Sequence, residues 1–138
     1  MKITPHISVP NAKKTIQIYK ELFDAKLLDH MPFTKEIGQG MGFPDDFDYE
    51  NSTMHAVLDF SGTEVYIADN MGPTQPGPVE IVLDFESREE IEKVWANVKT
   101  MGLQVVMELE KQFWGALYGR FIDKDNIGWQ LNHNLLQE

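Results

Sequence analysis

The chain has no cysteine. That excludes disulfides, zinc–thiolate centres and thiol catalysis, and it is compatible with a reducing compartment. Long apolar runs are also missing, and none approaches the roughly 18 residues that span a bilayer. The opening MKITPHISVP has one lysine and only a few apolar residues in a row, unlike a secretory leader. The expectation is a cytoplasmic protein that engages no membrane. Basic residues are few, 12 against 22 acidic ones, for a net charge of −10. Nucleic-acid binding needs clustered Lys and Arg, and the longest cluster here is Lys13-Lys14, so no nucleic-acid partner is expected. The only serines are Ser8, Ser52, Ser61 and Ser87. Ser87 reads as a helix cap and Ser61 as a turn, which leaves a Ser-His-Asp triad little to work with.

What is present suits one globular domain spanning 1–138, with 42% hydrophobic and 25% charged residues. ITPHISV alternates as a strand, with Ile3, Ile7 and Val9 on one face and Thr4, His6 and Ser8 on the other. Asn11 is placed to cap a helix whose stripe is Ala12, Ile16, Tyr19, Leu22 and Phe23. KLLDHMPF reads as a strand. TKEIGQGMGFPDDFDYENS after it shows no periodicity and reads as a loop, either disordered or a lid carrying Phe43 and Phe47. GQGMG within it lacks the preceding strand and following helix of a phosphate cradle, and its acidic residues lack the frame of a calcium loop. TMHAVLDF and EVYIAD then form two strands about Ser61-Gly62.

NMGPTQPGP, rich in proline and glycine, reads as a linker near residues 70–78. The order of elements repeats beyond it. VEIVLDF alternates as a strand, and Ser87 with Glu90 forms a capping box. Ile91, Val94, Trp95, Val98 and Met101 make a second helical stripe, closed by Gly102. LQVVMELE and FWGALYGRFIDKDNIGWQLN supply the remaining strands. Residues 1–70 and 79–138 each read strand–helix–strand–strand–strand. The expected class is α+β: two paired βαβββ modules forming a curved mixed sheet, helices on the convex face and a concave face left over.

Three stretches carry a family resemblance. ITPHISVPNAKKTIQIYKELFDAK, MHAVLDFSGTEVYIAD and FWGALYGRFIDKDNIGWQLN resemble the first strand and helix, the central hairpin and the C-terminal hairpin of PhnB-like proteins. These proteins are a glyoxalase-related group of the vicinal oxygen chelate superfamily, with glyoxalases, extradiol dioxygenases and bleomycin and fosfomycin resistance proteins. The last stretch, with Trp-Gly, Tyr-Gly and a Trp six residues after an Asp, is the specific part. It departs at the final turn, where Asp123-Lys124-Asp125-Asn126 replaces Asp-Pro-x-Gly; Asn can take the left-handed conformation that Gly would supply. The group's names sometimes mention a demethylubiquinone methyltransferase, yet nothing here resembles the Gly-rich strand–loop–helix that holds S-adenosylmethionine.

The resemblance implies a homodimer with small-molecule pockets on concave sheets near the subunit interface. Metal-dependent relatives place four His and Glu ligands there. Carried over, those positions are Thr4, Ile67, Glu80 and Gln130, a poor donor set for a divalent ion. No cofactor is expected, although a relocated divalent metal site stays open, because His6 and His55 fall on strand faces that would also look into the concavity. His30 and His133 read as surface residues. Two functions follow. One is an enzyme with His6, His55 and Glu80 as acid/base groups or relocated ligands, and Arg120 holding an anionic group. The other is a non-catalytic binder resembling bleomycin-resistance proteins, with Trp114 and Tyr118 offering flat faces to a planar or cationic ligand and Gln130 among the pocket residues. In the final hairpin, Phe121, Trp129 and Leu131 are expected in the core, with Tyr118, Arg120, Gly128, Gln130 and Asn132 on the pocket side.

Overall fold

A computed structural model describes residues 2–70 and 79–137. Two compact units divide at Thr74/Gln75. Of the residues read as a linker, 71–78 lie outside the described ones. The first unit carries β1 (His6–Val9), α1 (Ala12–Phe23), β2 (Lys26–Met31), a short α2 (Lys35–Gly40), β3 (His55–Phe60) and β4 (Thr63–Asp69). The second carries β5 (Ile81–Asp84), α3 (Arg88–Thr100), β6 (Gln104–Lys111), β7 (Ala116–Ile122) and β8 (Gly128–Asn134). Each holds a four-stranded mixed sheet, ordered β1-β4-β3-β2 and β5-β8-β7-β6. In both, the first strand runs parallel to the last and the other pairs are antiparallel. The fold is α+β and repeats one βαβββ pattern.

In the first unit the period-two alternation sends Ile7, Val9, Ala56, Leu58, Val65 and Ile67 to one face, all buried. The α1 stripe of Ala12, Ile16, Tyr19 and Leu22 is buried too, and Phe60 meets Tyr19 and Phe23 at ring distances of 6.1 and 5.3 Å. Asn11 caps α1 through Lys14 N. Asp69 joins that end to the sheet, one carboxylate oxygen accepting from Ala12 N and the other from Thr53 N, both at 2.8 Å. Such a carboxylate satisfies helix N–H groups and complements the dipole. Ile3, expected on the apolar face, precedes the strand and is 84% exposed.

The stretch after β2 differs from the structureless loop expected. Thr34 caps α2 through Ile37 N, and Phe43 and Phe47 lie against Phe33, with centroids 5.1 and 6.2 Å away. Tyr49 meets Phe47 edge-on at 4.8 Å and covers Gly38, where any Cβ would fall 2.2 Å from the phenol oxygen. The two phenylalanines assigned to a lid thus pack beside Phe33, which is itself buried.

In the second unit Ser87 caps α3 through Glu90 N, and Gly102 follows it at a positive φ of 65°. Ile91, Val94, Trp95 and Val98 of α3 are buried together with Phe121, Trp129 and Leu131, as the alternation requires. Trp95 can lie over β7 because residue 119 is glycine, a Cβ there falling 2.9 Å from its ring. The last turn keeps its shape without proline: Asn126 takes φ 64°, and Asp123 accepts from Asp125 N, Ile127 N and the Trp129 indole. That indole bond, 2.9 Å long, explains the six-residue spacing of Asp and Trp.

Two histidine expectations are overturned. His133 shares the parity of Trp129 and Leu131, is 2% exposed, and lies 2.9 Å through Nδ1 from the Phe85 carbonyl. His30 is half-buried, its Nε2 2.8 Å from the Thr53 hydroxyl. Burial first, and the Lys13 charge second, hold its pKa below the ordinary value.

Candidate functional site

Alternation leaves each sheet with a second, polar face. On β7 and β8, Arg120 opposes Gln130 and Tyr118 opposes Asn132, while Gln130 also opposes Val82 of β5. These side chains share the face turned away from Phe121, Trp129 and Leu131. Glu80 stands just before β5, so its side chain must cross β8 to meet β7. It can do so because the residue beneath it is Gly128, where a Cβ would sit 2.5 Å from Glu80 Oε2.

The result is a continuous hydrogen-bonded relay. Arg120 forks onto Glu80, donating from Nε and from one terminal nitrogen to Oε1 at 3.2 and 2.8 Å, and from that nitrogen to Oε2 at 3.0 Å. Gln130 donates from Nε2 to Glu80 Oε1 at 2.9 Å, and the Tyr118 hydroxyl donates to Gln130 Oε1 at 2.6 Å. With 34% of the Arg120 and 22% of the Glu80 side chain exposed, the pair is partly screened from water, and both carboxylate oxygens are hydrogen-bonded. The Gln130 amide, and then the Arg120 guanidinium, hold the Glu80 pKa below its ordinary value against the opposing effect of partial burial.

Aromatic rings adjoin the relay. Trp114, 46% exposed, meets Tyr118 edge-on at 5.5 Å and Phe113 at 5.0 Å. Phe113 is 96% exposed. At the β5 edge Asn132 donates to Asp84 at 2.8 Å.

Five of the seven residues singled out in the sequence therefore come together: Glu80, Trp114, Tyr118, Arg120 and Gln130. The other two, His6 and His55, belong to the first unit. There His6 pairs with Tyr66 across β1 and β4, and the His55 ring meets Tyr66 edge-on at 4.8 Å. Tyr66, Phe113 and Asp84, the partner of Asn132, were missed. Tyr66 could have been found from parity, since it lies two residues from Glu64 and on the face opposite Val65 and Ile67.

The donor set does not fit a divalent cation. Both Glu80 oxygens already face a guanidinium, the Gln130 oxygen accepts from Tyr118, and its nitrogen is a donor. His6 and His55 lie on strands separated by β4, which alone sets their backbones about 10 Å apart, and His55 is a further two residues along β3 from the position in register with His6. Ile67, the position carried over from metal-dependent relatives, is fully buried against the core and not on the polar face. Among the described residues no group of three or more His, Cys, Asp or Glu could hold a metal ion. The role assigned to Arg120, holding an anionic group, meets the same geometry: Glu80 already offsets its charge.

Two surface depressions flank α1, one lined by Lys13, Ile16, Gln17, Lys20, Leu27 and His30, the other by residues around Asn11 and Asp48. Neither contains any of the seven residues. Their walls include the buried Ile16 and side chains drawn largely from α1, and neither joins a carboxylate, a guanidinium, an amide and a phenol as the relay does, so the relay is the better candidate on chemical grounds.

The chain is 25% identical over 145 residues to Protein YjdN of Escherichia coli K12, covering 96% of this chain and 95% of that one. Among solved structures it superposes on PA1353 of Pseudomonas aeruginosa with a TM-score of 0.76 at 23% identity, covering 97% and 98% of the two chains. It superposes on the PhnB protein of Bacillus cereus with a TM-score of 0.74 at 20% identity, covering 96% and 99%. Residues 3–131 match the model of the Glyoxalase/Bleomycin resistance protein/Dioxygenase superfamily. With nearly the whole chain matched and the same fold in PhnB-like structures, the protein belongs to that superfamily.

Proposed function

We propose that this protein is a non-catalytic small-molecule binder, and that the polar face of its second unit is the recognition surface. One observation carries the reading: Glu80, the carboxylate a catalytic role would need, is held ionised by Gln130 and Arg120. A general base works best with a pKa near the operating pH, and Glu80 is shifted the other way. Trp114, Tyr118 and Phe113 supply ring faces for a flat ligand, and the acidic net charge favours a cationic one. A homodimer, which the family resemblance implies, and a cytoplasmic location, expected from the composition, belong to the same proposal.

Thermal-shift screening against aromatic cations and phosphonates tests it. An aromatic cation raises the melting temperature of the wild type, and Trp114→Ala abolishes the rise while leaving the unliganded melting temperature within about 2 °C, because the ring is half-exposed. A screen in which no such ligand shifts the transition refutes the binder.

A second reading, an enzyme, is favoured by His6 and His55 flanking Tyr66 on one face of the first unit's sheet. It requires His6→Ala and His55→Ala to abolish turnover of a ligand that still binds. Binding with no turnover in any variant leaves the binder standing.

A further inference from the structure

We infer that the polar face of the second unit selects ligands that donate a hydrogen bond, namely nitrogen cations carrying N–H groups beside a flat ring, and that Tyr118 is the acceptor that selects them. The inference rests on the binding reading above and adds the direction of every proton in the relay.

An ionised carboxylate has no proton to give. Glu80 is ionised because Arg120 grips both of its oxygens, so the Gln130 atom 2.9 Å from Oε1 must be the amide nitrogen. Turning the amide over would press two acceptors together. The amide oxygen therefore faces Tyr118, and an amide oxygen only accepts. At 2.6 Å the phenol proton is committed to it, and what Tyr118 keeps for a ligand is lone pairs.

The surroundings reinforce that polarity. Directly opposite Tyr118 stand Glu110 on β6 and Asn132 on β8, and the Asn132 amide is donated to Asp84. Trp114, 5.5 Å away, adds a ring face that attracts a cation. The donors left in the relay are the second terminal nitrogen of Arg120, whose charge Glu80 offsets, and the second N–H of the Gln130 amide, which is uncharged.

Three ligands of one shape separate the contributions: benzylammonium, a cation with N–H donors; benzyltrimethylammonium, a cation with none; and phenylacetate, an acceptor. Titration of the whole protein, followed through the Trp114 indole NMR signal, gives tightest binding for benzylammonium. The margin over benzyltrimethylammonium is about tenfold, the worth of one charge-assisted hydrogen bond. Tyr118→Phe removes that margin and leaves benzyltrimethylammonium unchanged. Gln130→Leu frees the phenol proton to turn outward, so phenylacetate gains affinity. Equal wild-type affinity for the two cations, a margin that survives Tyr118→Phe, or tightest binding of phenylacetate overturns the inference while the binding reading stands. If none of the three moves the Trp114 signal, the binding reading fails and the inference with it.

Discussion

A methyl group at position 128 would lie 2.5 Å from a carboxylate oxygen and 2.8 Å from Cγ of Glu80. Glu80 is flexible and can swing away, but only by giving up its fork with Arg120 and its bond from Gln130. Gly128→Ala is therefore expected to cost about 1–2 kcal/mol in denaturant unfolding. An unchanged midpoint would show that the relay contributes nothing to stability. His30 gives a second test at this scale. Its pKa in the fold lies below the ordinary 6.5, so as pH falls through that range the unfolded chain binds more protons and stability drops. Unfolding free energy should decline as pH falls through the ordinary 6.5 towards the lowered value in the fold, and His30→Asn should flatten that decline. Glu80 acts in a separate window: its contribution is present above its ordinary 4.5 and is lost as pH falls through its lowered value. The faces of Tyr118, Arg120 and Gln130 were legible from period-two alternation. The Glu80–Arg120 pair was not, because its partners stand 40 residues apart, one just before β5 and the other on β7, with β8 between those strands.

Among the elements, the final hairpin was the most readable because its rules are local: alternation for its core, Asn for the left-handed turn, Asp123 six residues before Trp129. Asp123→Asn sharpens this. Its nitrogen would face either the Trp129 indole N–H or the backbone N–H groups of 125 and 127, donor against donor, and the site is 93% buried. A loss of about 1–3 kcal/mol is expected in calorimetry or denaturant melts; a neutral variant would mean the indole bond is dispensable. The stretch from 34 to 52 was opaque for the opposite reason. Phe33, Phe43, Phe47 and Tyr49 follow no helical or strand period, so their cluster exists only in three dimensions. Gly38→Ala should displace Tyr49 and open that stretch to limited proteolysis, where the wild type resists. His133 was misread because nearness to the chain end outweighed its parity with Trp129 and Leu131.

For the molecule as a whole, two units repeat one strand order, and each helix buries one face of its sheet. That leaves two polar faces with different chemistry. The first unit's carries His6, Tyr66 and His55; the second's carries the Arg120–Glu80–Gln130–Tyr118 relay and its aromatic neighbours. Family membership fixes the scaffold, while the reaction or ligand depends on such faces. The central claim is that a guanidinium, and not a metal ion, faces Glu80, which equips the face to bind and not to catalyse. Metal analysis of the purified protein after incubation with Zn²⁺, Mn²⁺, Fe²⁺ and Ni²⁺ tests it most directly. The account predicts far less than one ion per chain, unchanged by Glu80→Gln, His6→Ala or His55→Ala. One tightly held ion per chain, lost on any of those substitutions, would contradict it.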